Sequence, residues 1–139
     1  MDRQLLLRAI LMWVLFLPVP IVNGALREGW YRPMVGDILA QFIGVIVVSC
    51  VFVLYAYVFL RNRVLALEGS TLWRLGSLWL AMTLGFEFGM GVATGKSWSY
   101  ILADYRVWEG RTWPLVLIVV LLSPRIVKHL ASRSGVRHP

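Results

Sequence analysis

Cysteine and histidine are scarce in this chain, and their scarcity excludes several chemistries. The 139 residues include one cysteine, Cys50, and two histidines, His129 and His138, both close to the C-terminus. A single cysteine cannot form an intrachain disulfide, so Cys50 is expected to be a small packing residue. Two histidines in the tail supply neither the paired ligands of a b-type haem nor a zinc cluster. We therefore expect no cofactor and no metal.

Motifs for catalysis are missing as well. The sequence contains no Gly-rich phosphate-binding loop and no nucleophile elbow. No apolar segment pairs a serine or the cysteine with a histidine, as nucleophilic catalysis requires. A conventional hydrolase, a redox carrier and an ATP-driven machine are therefore not expected, and we predict that the protein is not an enzyme.

Charged residues are few and apolar residues are abundant. Charged residues make up 15% of the chain and hydrophobic residues 59%, against roughly 25% and 45–50% in soluble domains. Such a chain has more apolar surface than a small interior can bury, which indicates an integral membrane protein in contact with the lipid bilayer. The net charge of +7 is scattered between apolar runs rather than gathered in a patch. Such scattered basic residues are typical of residues that set membrane topology and contact anionic lipid headgroups. We therefore expect no nucleic acid partner.

The charged residues divide the chain into apolar segments of membrane-spanning length. A hydrocarbon core needs roughly 20 helical residues. The sequence therefore predicts a single all-α domain over residues 1–139 with four transmembrane helices, at about 7–26, 38–60, 73–95 and 112–130. The fourth segment is short, and it can span only if Arg125 and Lys128 extend toward the interface.

The first segment has a second interpretation. Two arginines, an apolar stretch and small residues before Ala25 resemble a secretory signal with a cleavage site. The chain retains this segment, so we expect a helix of the bundle, kinked near its outer end by Pro18 and Pro20.

The distribution of Lys and Arg predicts the orientation. Of the 14 basic residues, nine lie on the side of both termini and five on the opposite side. The positive-inside rule then places both termini in the cytoplasm.

The third loop carries a further helical pattern. Its aromatic and aliphatic side chains recur at helical spacing: Trp98, Ile101, Leu102, Tyr105 and Trp108. The pattern predicts a short amphipathic helix over about 97–109, capped by Ser97 or Ser99, that lies along the membrane interface. Trp98, Tyr105 and Trp108 are thus candidates for contact with a partner or with lipid.

A polar site is predicted around Glu87, which falls near the middle of the third segment. Thr83 lies one helical turn away, and Asn23 and Gln41 occur at matching depths in the first two segments. Arg27, one turn beyond Asn23, is a candidate counter-charge that reaches inward. A carboxylate within a membrane is a candidate functional group that binds a cation, a proton or a polar headgroup. A structural hydrogen-bond cluster, with Glu87 protonated by burial, is the alternative, and the sequence leaves both open.

Gly85 and Gly89 form a GxxxG pair on the opposite face of the same helix. Such pairs allow two helix backbones to approach closely. Packing within one chain is the commoner use of such a pair, and an interface with a partner or a second copy is the alternative.

Several sequence blocks resemble a family of small, uncharacterised four-span bacterial inner-membrane proteins. The blocks are NGALRE at 23–28, FEF at 86–88, GKSW at 95–98, LADY at 102–105 and GRTW at 110–113. The resemblance implies a four-helix architecture and a location in the bacterial inner membrane, and it implies no activity.

Two function classes follow from these observations. The first is a non-catalytic accessory or assembly subunit that contacts other membrane subunits or self-associates, given the small size, the packing glycines and the Trp-rich loop. The second is a small oligomeric transporter or channel that uses the Glu87 site, because four short helices rarely enclose a pathway alone. An intramembrane enzyme acting on lipids is a third and weaker alternative.

Overall fold

The structure, a computed structural model, describes residues 1–103 and 112–134 of the chain. The described residues are helical, with no strand among them. The helices are α1 (Arg3–Phe16), α2 (Pro18–Leu26), α3 (Arg32–Val35), α4 (Asp37–Leu60), α5 (Gly69–Ala93), α6 (Trp98–Ala103) and α7 (Trp113–Arg133). A π-helical turn joins α2 to α3 at Arg27–Tyr31, and a 3₁₀ turn at Val64–Ala66 lies between α4 and α5.

Four stretches of helix in the described chain are long and apolar enough to cross a membrane, which confirms the predicted all-α class. They are Arg3–Val35, Asp37–Leu60, Gly69–Ala93 and Trp113–Arg133. The first differs most from its predicted bounds, since helical backbone continues past residue 26 to Val35. The π-helical turn and α3 occupy residues for which the sequence predicted a loop.

Pro18 and Pro20 interrupt the first stretch without ending it. Pro18 occupies the first position of α2, where a helix does not use the backbone N–H that proline lacks. The N–H of Leu17 is shared between the carbonyls of Trp13 and Val14, at 3.2 and 3.3 Å. This bond satisfies the Val14 carbonyl, to which Pro18 cannot donate because proline has no backbone N–H. The prolines consequently divide α1 from α2 while the helical path continues.

A column of aromatic rings fills the centre of the bundle. Phe52 packs edge-on against Phe16 at 4.8 Å and against Trp79 at 5.4 Å between ring centroids. Phe52 and Trp79 are fully buried. The Trp79 indole N–H donates to the Ala9 carbonyl at 3.0 Å, and this bond ties α5 to α1. Buried indoles need such an acceptor, so the ring is held in one orientation.

Helices α5 and α7 pack closely together at Gly76. A Cβ atom built on Gly76 would lie 2.0 Å from the Leu121 carbonyl oxygen. The neighbouring Pro124 lies inside α7 and leaves the Val120 carbonyl without its helical donor. The Ser123 hydroxyl donates to that carbonyl at 2.7 Å, so the backbone is satisfied within the helix.

The ends of the bundle differ in what they contain. At the N-terminal end, Arg125 lies over the Trp73 ring at 4.6 Å, and Lys128 Nζ donates to the Leu67 carbonyl at 2.6 Å. Arg125 and Lys128 of α7 therefore extend toward the start of α5 and the α4–α5 connection, in the direction that the short fourth segment requires. The opposite end, called the Gly36 end here, holds the π-helical turn, α3, the turn at Gly36 and α6.

Gly76→Ala should destabilise the protein by about 1–3 kcal/mol, because the new methyl group would overlap the Leu121 carbonyl and force α5 and α7 apart. Thermal unfolding in a mild detergent measures the effect. Gly85→Ala is the matched control, since no atom lies within 4 Å of a Cβ at that position of the same helix. Equal melting temperatures for the two variants would contradict the proposed contact.

Candidate functional site

A cavity of about 790 Å³ lies at the Gly36 end of the bundle. Its walls come from α2, the π-helical turn, α4, α5, α6 and the first residues of α7. Four of the polar residues singled out from the sequence line it together: Asn23, Arg27, Gln41 and Glu87. They belong to three separate helical stretches, so the fold brings to one space the groups that the sequence placed at matching depths.

Gly44 allows the first stretch to pack directly on α4 at the cavity wall. A Cβ atom on Gly44 would lie 3.1 Å from Asn23 Nδ2 and 3.3 Å from Tyr31 Oη. The Tyr31 hydroxyl donates to Asn23 Oδ1 at 3.0 Å. The Asn23 amide is therefore held between a donor on its own stretch and the bare backbone of α4.

Tyr31 is a positioning residue that the sequence did not reveal. In a regular helix, residue i+8 points about 80° away from residue i, so Tyr31 and Asn23 would not meet. The π-helical turn closes with a bond from the Arg32 N–H to the Arg27 carbonyl, five residues apart. The wide turn adds one residue and brings Tyr31 back above Asn23. No residue pattern in REGWY signals such a turn.

Charged side chains of both signs surround the mouth of the cavity. Arg32 bridges the α2–α4 reversal, because its guanidinium donates to both Glu28 and Asp37. Arg27 Nε lies 3.5 Å from Glu28 Oε1. These groups are substantially exposed, so the ion pairs fix geometry and contribute little stability.

One face of α5 forms another wall of the cavity. Glu87, Met90, Gly91 and Thr94 recur at helical spacing along it and all line the cavity. A Cβ on Gly91 would lie 2.7 Å from the Ile101 side chain, so the glycine makes room for α6. The Thr94 hydroxyl bonds back to the carbonyls of its own helix, at 2.7 and 3.1 Å.

Thr83 is separated from the other predicted site residues. It accepts a hydrogen bond from the Trp13 indole at 3.0 Å and donates to the Trp79 carbonyl at 2.7 Å. Thr83 lines a second, smaller cavity of about 210 Å³ nearer the middle of the bundle, and the large cavity does not include it. Its hydroxyl is used in holding α1 to α5, which makes its role structural.

The two cavities adjoin. They share the lining residues Pro20, Ile21, Val48, Phe86, Glu87 and Trp113. The remaining walls of the smaller cavity are mostly apolar: Trp13, Phe16, Leu17, Val116 and Val120, together with Thr83. Glu87 consequently lies where a charged outer space meets an apolar inner one.

Gly85 and Gly89 make no close helix contact with the rest of the described chain. No atom lies within 4 Å of a Cβ built on either residue. Both are exposed, as are Ser77, Ala81 and Ala93 at the same four-residue spacing. The rotation of α5 directs Gly76 and Gly91 inward instead, and these two glycines take the close contacts.

The predicted third-loop helix is described in its first half. Helix α6 covers Trp98–Ala103, and the Ser97 side chain accepts a hydrogen bond from the Tyr100 N–H at 3.2 Å as its cap. Trp98 is 60% exposed and lies 5.9 Å from the Phe88 ring. Tyr105, Trp108 and the rest of the predicted helix lie outside the described residues.

Among the described residues, no three His, Cys, Asp or Glu side chains lie close enough to hold a metal ion. Comparisons of the chain with models of known families, with curated proteins and with solved structures found no match. The resemblance to small four-span bacterial proteins thus stays a prediction.

Tyr31→Phe should lower the free energy of unfolding by about 0.5–1.5 kcal/mol, because Asn23 Oδ1 would lose its 3.0 Å donor. Tyr57→Phe is the control, since its hydroxyl is 3.5 Å from Ser134 Oγ, at the limit of hydrogen bonding. Thermal unfolding of both variants in detergent makes the comparison. A loss for Tyr57→Phe as large as that for Tyr31→Phe would refute this role.

Proposed function

We propose that this protein is a non-catalytic multi-pass membrane protein that binds a polar ligand in the cavity at its Gly36 end, as a small oligomeric transporter or channel. The observation that carries the proposal is the convergence of Asn23, Arg27, Gln41 and Glu87 on one cavity of about 790 Å³. Ligand sites in proteins occupy roughly 300–1,000 Å³, so the space suits a small organic molecule.

The exterior of the bundle supports a location in a bilayer. Large apolar side chains are more than half exposed on all four long helical stretches, as at Leu7, Leu54, Val92 and Ile118. Water would not tolerate so much exposed hydrocarbon, whereas lipid does. The excess of basic residues at the N-terminal end favours cytoplasmic termini, and we propose the bacterial inner membrane as the compartment.

Glu87 is the group on which we expect binding to depend. It is half-buried on α5, at the junction of the charged and apolar cavities. Carboxylates at such positions are retained at a cost in free energy, and they commonly mark ligand or ion pathways. Because four helices rarely enclose a complete pathway, passage through the membrane would use more than one copy.

Glu87→Gln should remove a co-purifying ligand without unfolding the protein. A hydrogen bond to a charged group contributes about 1.5–3 kcal/mol, so ligand retention should fall about tenfold or more. Native mass spectrometry of protein extracted gently from its own membrane measures retention, and thermal unfolding measures stability.

Glu68→Gln provides the matched control, because Glu68 precedes α5 at the N-terminal end and does not line the cavity. If Glu87→Gln lowers the melting temperature and Glu68→Gln does not, Glu87 is structural and the proposal loses its main support. If neither the wild type nor any variant retains a small molecule, the cavity is not a binding site.

The second candidate is an accessory or assembly subunit of a larger membrane complex, and the face of α5 that the described residues leave uncovered favours it. Gly85 and Gly89 leave a flat helix surface of the kind that membrane helices use for close association. Trp98 lies beside this face through its contact with Phe88. Another membrane subunit or a second copy of the chain would cover it.

Replacing both glycines, Gly85→Ile with Gly89→Ile, should dissociate any such assembly, because the added side chains hold helices apart. The control pair is Val47→Ile with Val58→Ile on exposed positions of α4. Native mass spectra should then show the heavier species for the wild type and for the control pair, but not for the glycine variant. Heavier species that persist in the glycine variant would argue against this face.

A further inference from the structure

We propose that the seam between α5 and α7, at the N-terminal end of the bundle, binds an anionic phospholipid whose phosphate contacts Arg125 and Lys128. This site is separate from the cavity at the Gly36 end, because neither residue lines that cavity. Of the functions proposed above, it requires only the location in a bilayer. Three observations carry it: the depth of Arg125 in its helix, the lack of a counter-charge, and the fixed position of the guanidinium.

Arg125 lies at a depth that lipid hydrocarbon would otherwise occupy. The uncharged run of α7 that precedes it, residues 113–124, contains 12 residues. At about 1.5 Å per residue this run is about 18 Å long, which is shorter than a hydrocarbon core of about 30 Å. Arg125 is exposed on the surface of the bundle. Its charge therefore faces lipid unless an anion from the headgroup layer compensates it.

Basic side chains are in excess at this end of the bundle. Among the described residues, no carboxylate lies within ion-pair distance of Arg125 or Lys128, and the ion pair at this end joins Arg63 to Asp2 at 3.8 Å. Eight basic and two acidic side chains of the described chain lie here: Arg3, Arg8, Arg61, Arg63, Arg74, Arg125, Lys128 and Arg133, with Asp2 and Glu68. An anion from outside the described chain is needed to balance them.

The cations at the two ends of the bundle differ in this respect. At the Gly36 end, Arg32 bridges Glu28 and Asp37, and Arg27 pairs with Glu28. An anionic ligand there would compete with carboxylates that already hold these arginines. At the N-terminal end no described carboxylate competes for Arg125, so a lipid phosphate is the available anion.

Contacts with α5 hold the Arg125 guanidinium in place. Its Cζ atom lies 4.6 Å from the centroid of the Trp73 ring, and its Nη2 atom lies 3.6 Å from a Cβ built on Gly69. A cation–π contact orients the guanidinium but does not remove its charge or its N–H donors. None of the hydrogen bonds of the described chain uses these donors. An oriented guanidinium can donate to two phosphate oxygens at once.

Lys128 lies one helical turn from Arg125 and extends toward the same end of α5. Its Nζ atom donates to the Leu67 carbonyl at 2.6 Å, and the ammonium retains its charge and its other donors. The close contact between Gly76 and Leu121 lies one turn from Arg125 in the other direction, and it holds the two helices together. Both cations are thus positioned before a lipid arrives, which lowers the entropic cost of binding.

Native mass spectrometry tests the site with defined lipids. The purified full chain, stripped of its own lipid in a maltoside detergent, is titrated with phosphatidylglycerol or with phosphatidylcholine that has the same acyl chains. The first phosphatidylglycerol should bind about tenfold more tightly, because the choline ammonium offsets the phosphate charge in the other lipid. Inorganic phosphate at the same concentration should not displace it, because the lipid is also held by its chains.

Substitutions locate the binding on the bundle. Arg125→Gln and Lys128→Gln should each lower the affinity for phosphatidylglycerol about fivefold and leave the affinity for phosphatidylcholine nearly unchanged. Arg61→Gln is the matched control, because it removes the same charge from an exposed position at the same end of the bundle. Arg125→Lys retains the charge without the planar guanidinium, so its loss should be smaller than that of Arg125→Gln.

Each contrary result has a distinct meaning. Equal affinity of the wild type for the two lipids overturns the anionic partner, and displacement by inorganic phosphate overturns a lipid as the occupant. A loss in Arg61→Gln as large as that in Arg125→Gln overturns the seam as the site. If Arg125→Gln lowers the melting temperature, Lys128→Gln and Arg125→Lys decide, and unchanged selectivity in both overturns the site. The ligand retention measured with Glu87→Gln is unaffected by any of these results.

Discussion

The contact between Gly76 and the Leu121 carbonyl sets the distance between α5 and α7, and the rest of the bundle is arranged around it. For helices in lipid, apolar burial provides little drive to associate, so close backbone packing and internally satisfied polar groups provide the stability. Ser123 meets the second requirement where Pro124 withholds a donor. The cavity of about 790 Å³ lies at the Gly36 end of the bundle, away from this contact.

Two buried indoles tie α1 to α5 beside the smaller cavity. Trp79 donates to the Ala9 carbonyl, and Trp13 donates to Thr83, so each ring is buried with its N–H paired. Phe86 packs edge-on against Trp13 at 6.0 Å between ring centroids, and both rings line the smaller cavity. Glu87 thus lies one helical turn from Thr83, whose hydroxyl is bonded to Trp13 and to the Trp79 carbonyl.

The sequence predicted what depends on segment length and missed what depends on helix rotation. Four apolar helices could be foreseen because a bilayer demands a minimum length of apolar helix. The grouping of Asn23, Gln41 and Glu87 followed from counting residues along those helices. Which glycine of α5 meets a neighbour could not be read, because Gly76, Gly85 and Gly89 differ only in the direction that tertiary packing gives them. The π-helical turn was missed because its five residues show no distinctive pattern.

That turn also has a consequence for the way the site can change. The residues before it and after it belong to helical segments with different angular phase, offset by one inserted residue. Asn23 is oriented by the phase of α2, whereas Tyr31 and Arg32 take theirs from the segment that meets α4. Loss of a single residue in the turn would rotate the later segment by about 100° relative to α2. The polar residues on α2 and the charged residues after the turn therefore have separate rotational settings about the helix axis. The insertion or deletion of one residue in the turn is enough to rotate one group relative to the other.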